Sequence, residues 1–116
     1  RHDRLNKVLI SAMKQSQRAW LPVLDTPVEL RTLLAGALPD QCCFGWCEGE
    51  CAAITKAYRP TGNALMLIGP EGDFTPEEAE ELRTVHFQAV SLGEARLRTE
   101  TAAVVACTWM NFAQLV

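Results

Sequence analysis

No run of apolar residues in this 116-residue chain reaches the roughly 18 needed to cross a bilayer, so no segment reads as a transmembrane helix. The opening residues show no secretory-signal pattern. Neither G-x-x-x-x-G-K-[ST] nor G-x-G-x-x-G occurs, which removes two common glycine-loop routes to nucleotide phosphates. The cysteines lack the paired C-x2-C spacing typical of structural zinc sites. Internal repeats, low-complexity tracts and obvious linkers are missing too. Cations are few, with 11 Lys and Arg against 14 Asp and Glu. Non-specific RNA affinity grows with the number of phosphates neutralised, so the bulk of the chain offers little of it.

What is present is the composition of an ordinary globular protein, 48% apolar and 22% charged, in a length that fits one domain. Charge is unevenly placed. Residues 1–20 carry Arg1, Arg4, Lys7, Lys14 and Arg18 against Asp3, a net of +4, so the rest of the −3 chain carries −7. Such a helix can face a phosphate backbone or be a solvated surface, and composition favours the second. The cysteines are Cys42, Cys43, Cys47, Cys51 and Cys107. The odd count and the missing signal pattern lead to an expectation of reduced thiols in a cytoplasmic protein. Cys43 and Cys47 interleave with Phe44 and Trp46, where cysteine acts as a small buried hydrophobe; no metal site is expected. The chain opens on Arg1 rather than Met, and the expectation is a piece of a longer protein.

Leu5, Val8, Leu9, Ala12 and Met13 recur at helical spacing, which predicts an amphipathic helix over 3–18. Thr26-Pro27 predicts a second helix, with threonine as cap and proline in the first turn, ending near Gly36. Short strands are expected at 41–47 and 87–91, and residues 50–58 are ambiguous. The continuous apolar run Ala64–Ile68 reads as a strand buried on both faces. Thr75-Pro76-Glu77-Glu78 has the pattern of a capping box and predicts a helix to about Val85. Thr99 opens a last helix that is apolar on most faces, which predicts a buried core helix or a subunit interface. Strands alternating with helices imply an α/β domain with a mostly parallel sheet flanked by helices.

Two loops carry the functional signal. The first is Gly69-Pro70-Glu71-Gly72-Asp73, between a strand and the capped helix. Helix starts attract anions. Here, however, Thr75 and Glu78 occupy that start, and Glu71, Asp73, Glu77 and Glu78 repel phosphate. The loop suits a neutral or cationic ligand, of which a sulfonium is one. The second loop places Arg96 and Arg98 around Leu97, just after Gly93. An arginine between an apolar loop and an apolar helix needs a carboxylate or a substrate phosphate; Glu71 and Glu100 are internal candidates.

Leu67-Ile68-Gly69-Pro70-Glu71-Gly72 followed by Leu92-Gly93-Glu94-Ala95-Arg96-Leu97-Arg98-Thr99-Glu100-Thr101-Ala102 resembles the paired signature of the bacterial ribosomal RNA uridine-N3 methyltransferases, of the SPOUT superfamily. The helix ending Gln15-Ser16-Gln17-Arg18 is similar to that family's Gln-Ser-x-Arg helix. The resemblance is weakest across residues 36–62. It implies an α/β fold with a deep trefoil knot that binds S-adenosylmethionine, and a homodimer formed through the knotted region and the last helix. It maps cofactor contacts onto Leu67, Gly69, Pro70, Glu71, Gly72, Leu92, Gly93 and Leu97. Residues 1–116 would then be the C-terminal methyltransferase domain, without the family's N-terminal PUA-like RNA-binding domain and first strand, and inactive alone. The family commonly has glycine where this chain has Asp73.

The implied reaction is methylation of uridine N3 in small-subunit ribosomal RNA. It requires N3 to lose its proton and the target nucleotide to be anchored. Arg98 is the candidate for contacting RNA phosphate or stabilising the uridine anion, and Glu71 or Glu100 for orienting it or relaying the proton. Competing readings are a methyltransferase of another RNA, such as transfer RNA, and a non-catalytic RNA-binding or dimerisation module.

Overall fold

The computed structural model describes residues 2–17, 21–46, 48, 51–93 and 96–114. Arg18, Trp20, Cys47, Glu94 and Ala95, on which parts of the sequence reading fall, lie outside the described residues. The chain divides into two compact units, Arg1–Gly36 and Ala37–Val116.

In the first unit, helix α1 spans His2–Gln15. Its apolar spacing is the expected one, yet none of its residues is buried within the chain, and Leu5 and Val8 are exposed. The His2 ring nitrogen Nε2 lies 2.8 Å from the Leu24 carbonyl oxygen. Helix α2 spans Leu30–Ala35. It begins later than Thr26-Pro27 suggested: Glu29 is its N-cap and makes no side-chain capping bond. Residues 26–29 are exposed, and Val28 is a poor helix former, so no buried contact stabilises the additional turn.

The second unit is a parallel sheet with helices on both faces. Its elements are β1 (Gln41–Gly45), β2 (Ala52–Ala53), α3 (Ile54–Ala57), β3 (Ala64–Leu67), α4 (Pro76–Thr84), β4 (Gln88–Ser91) and α5 (Thr99–Ala113). The strand order is β2-β4-β1-β3, and every pairing is parallel. The last strand therefore lies between two earlier ones.

Alternation along β1 sends successive side chains to opposite faces. Cys43 joins Ile54, Val90 and Ala106 in one core, flanked by α3 and α5. Phe44, fully buried, packs edge-on against Phe74 and beneath the Arg83 guanidinium of α4. Leu82 and Ala79 anchor α4. The strand covered on both faces is thus β1. The Ala64–Leu67 run instead forms β3 at the sheet edge and is half-buried throughout. Helix α5 also departs from the core-helix expectation. It buries Ala102 and Ala106 but leaves Val104 64% and Phe112 58% exposed, so its apolar surface is only partly used within the chain.

Capping is as expected at α4. The Thr75 hydroxyl accepts from the Glu78 amide at 3.1 Å, and the Glu78 carboxylate accepts from the Thr75 amide at 2.8 Å. The helix ends with the Phe87 amide on the Leu82 carbonyl and the His86 amide on the Arg83 carbonyl, with His86 left-handed at φ 70°. This is a Schellman arrangement with histidine where glycine is usual.

Candidate active site

The C-terminal ends of β1, β3 and β4 open onto one cavity of about 350 Å³. Ligands in open α/β sheets bind at this edge because loops and helix starts converge there. Gly45 and Trp46 contribute from β1, the Ile68–Asp73 loop from β3, and Leu92, Gly93 and Arg96–Thr99 from the loop after β4. Ala102, on the first turns of α5, closes the wall.

The first loop is a tight turn. The Asp73 amide donates to the Pro70 carbonyl at 2.8 Å, with Gly72 at φ 84°, the left-handed position a type II turn requires. Gly69 is pressed against the end of this turn: a Cβ there would lie 3.0 Å from the Phe74 amide nitrogen and 3.1 Å from Asp73 Oδ1. The second loop turns at Gly93, φ 129°. A Cβ on Gly72 or Gly93 would meet nothing within 4 Å, so both backbones face open space. The two loops are joined where the Thr99 hydroxyl donates to the Gly69 carbonyl at 2.9 Å.

Of the residues expected to contact a cofactor, Gly69, Pro70, Glu71, Gly72, Leu92, Gly93 and Leu97 line this cavity. Leu67 ends β3 one residue before the lining begins. Arg98 and Glu71 line it as well, whereas Glu100 sits in the first turn of α5, outside the lining. The expected ion pairs of the arginines with Glu71 or Glu100 do not form among the described residues. Arg96 instead meets Glu48 at 3.5 Å, with both side chains more than half exposed. Such an exposed pair is screened by solvent and easily exchanged for another anion. Gly45, Trp46 and Ala102 are lining residues that the sequence did not mark as contacts. Gly45 and Trp46 are brought there by the parallel pairing of β1 with β4, which no local pattern announces, and Ala102 by the start of α5.

The cysteines on β1 are interior. Cys42 and Cys43 are buried, and Cys42 Sγ donates to the Pro39 carbonyl at 3.3 Å. Burial raises the pKa of the Cys43 thiol, with Cys42 adding to the rise and Arg59 opposing it; burial and then Asp40 raise that of Cys42.

A glycine-walled cavity at the carboxyl edge of a parallel sheet, rimmed by two arginines, defines an α/β small-molecule-binding domain. The RNA methyltransferase domain model matches residues 1–111, and the chain belongs to that family. The chain is 32% identical over 111 residues to the ribosomal RNA small subunit methyltransferase E of Aquifex aeolicus, covering 95% of this chain and 48% of that protein. It superposes with a TM-score of 0.90 on a "probable rRNA-methyltransferase" from Porphyromonas gingivalis, 38% identical, over 97% of this chain and 49% of that one. A ribosomal RNA small subunit methyltransferase E from Neisseria gonorrhoeae, solved with bound S-adenosyl methionine, matches with a TM-score of 0.79 and 28% identity over 95% of this chain and 47% of that one. The chain spans about half the length of these relatives.

Proposed function

We propose that the protein transfers a methyl group from S-adenosylmethionine to N3 of a uridine in small-subunit ribosomal RNA. The observation that carries the reading is the cavity formed by the two glycine loops, with Arg98 at its wall. The residues present fit the cofactor. The volume falls in the range of small-molecule sites, roughly 300–1,000 Å³. Trp46, Ile68, Leu92 and Leu97 supply apolar surface, and Gly72 and Gly93 leave backbone open to close approach. The name of the Aquifex relative and the ligand of the Neisseria structure support the same assignment.

When bound, the cofactor supplies a methyl group on a positively charged sulfur. The N3–H bond of uridine breaks, an N3–methyl bond forms, and S-adenosylhomocysteine and one proton are released. The protein's part is alignment and charge. The Thr99–Gly69 hydrogen bond holds the two loops at fixed separation. Arg98 stabilises the negative charge that develops on the uracil ring or anchors an adjoining phosphate, for which its forked donors are suited. Glu71, in the same lining, is better placed than Glu100 to orient Arg98 or relay the proton.

The reading extends to a trefoil knot formed around these loops, supported by the insertion of β4 between β2 and β1. It also includes a homodimer through α5, supported by the exposed Val104 and Phe112. Residues 1–116 act as the methyltransferase domain of a longer enzyme, consistent with their share of the relatives' length. The test is transfer of labelled methyl by the full-length protein to small-subunit ribosomal RNA, followed by nucleoside digestion. Label in 3-methyluridine is expected; label in any other nucleoside, or none, refutes the assignment.

A further inference from the structure

Ser91, the last residue of β4, makes two side-chain bonds to one glycine. Its hydroxyl accepts from the Gly93 amide at 3.2 Å and donates to the Gly93 carbonyl at 3.1 Å. One side chain thus engages both polar groups of that backbone. Leu92 and Gly93 line the cavity, whereas Ser91 lies outside the lining. Ser91 therefore acts on the site through its neighbour.

Gly93 needs such a restraint. It stands at φ 129°, and a Cβ built there would meet nothing within 4 Å. Glycine reaches this conformation without strain, but it also has the most backbone freedom to lose. With open space at that side of the backbone, packing does not supply the restraint. The residues before it are anchored: Ser91 pairs with Ala53 of β2, and Leu92 packs against the core of Cys43, Ile54, Val90 and Ala106. The chain leaves these anchors at Gly93, where the two Ser91 bonds hold it. Fixing the backbone of one residue corresponds to about five- to thirtyfold in an equilibrium constant. A site whose loop is already fixed does not lose that factor when its ligand binds.

Resting on the methyl-transfer reading above, we propose that Ser91 is a positioning residue for the methyl donor: its hydroxyl sets the Gly93 turn before the cofactor arrives, so binding does not have to order it. This restraint is separate from the Thr99–Gly69 bond, which ties the two loops to each other. Ser91→Ala removes both bonds to Gly93. Ser91→Thr keeps the hydroxyl, and its β-branched side chain suits a strand.

The experiment is calorimetric titration of the full-length protein and both variants with S-adenosylmethionine and, separately, S-adenosylhomocysteine. Steady-state kinetics and amide hydrogen exchange at Gly93 without ligand accompany it. The clamp acts on the loop and not on the sulfonium, so Ser91→Ala should weaken both ligands alike. About three- to tenfold is expected for two solvent-exposed hydrogen bonds. KM for the donor should rise by the same factor, with the loss carried by KM rather than kcat. The Gly93 amide should exchange faster in Ser91→Ala, and Ser91→Thr should restore both affinity and exchange. Unchanged affinity in Ser91→Ala, a fall in kcat with KM unchanged, or no recovery in Ser91→Thr overturns the proposal while leaving the methyltransferase reading intact. Failure of the unaltered protein to bind either ligand removes that reading and this proposal together.

Discussion

The hydroxyl of Thr99 donates a 2.9 Å hydrogen bond to the carbonyl of Gly69, thirty residues earlier. It ties the first residue of α5 to the loop after β3, so the two glycine loops are set by one contact. Thr99→Val removes the donor but keeps the shape. A hydrogen bond of this kind contributes about 0.5–1.5 kcal/mol, so donor affinity should fall roughly three- to tenfold, and Thr99→Ser should restore most of it. Calorimetry on the full-length protein checks this; equal affinities for the valine and threonine forms would show that the loops hold their places without the bond.

Arg98 lines the cavity, and no described carboxylate engages it. Arg98→Ala should lower the rate of methyl transfer by about 10²–10³, as for loss of one charge-stabilising donor. Cofactor affinity should change little, because the side chain serves the RNA side. Single-turnover rates and calorimetry separate the two effects. Normal turnover by the variant would remove Arg98 from the chemistry.

His86 occupies the left-handed position after α4 with an exposed side chain. His86→Gly relieves that strain and should raise unfolding stability by about 0.5–1 kcal/mol. The midpoint of urea unfolding is the measurement.

Cys51 and Cys107 are exposed, while Cys42 and Cys43 are buried. Alkylation of the native protein should modify Cys51 and spare Cys42 and Cys43 until denaturant is added. Burial raises the Cys43 pKa above its ordinary value of 9.0. Above that pH the unfolded chain gives up the thiol proton while the folded chain retains it. Stability is therefore unaffected by this group below about pH 9 and falls as pH rises from there toward the raised folded value. Cys43→Ala should flatten that part of the curve in unfolding measurements.

Local chemistry was the most legible part of the sequence. The Thr75–Glu78 capping box spans four residues, and each of its bonds forms as the pattern states. The glycine loops were legible for the same reason, since turns at Gly72 and Gly93 depend on those residues. Non-local partnership was not legible. The apolar run at 64–68 announces burial on both faces, but it is β1, not β3, that is covered on both. Arg96 pairs with Glu48 across the unit, a contact that only the folded chain creates. Trp46 enters the cavity because parallel pairing brings the end of β1 beside those of β3 and β4. The apolar content of α5 fits a core helix and a subunit interface alike, and its sequence alone does not say that Val104 and Phe112 remain uncovered within the chain.

The decisive measurement is mass mapping of modified nucleosides in small-subunit ribosomal RNA from cells lacking the full-length gene. Loss of a single 3-methyluridine, restored by the unaltered gene but not by one carrying Arg98→Ala, is the expected outcome. An unchanged set of methylated nucleosides would refute uridine-N3 methylation as the protein's function.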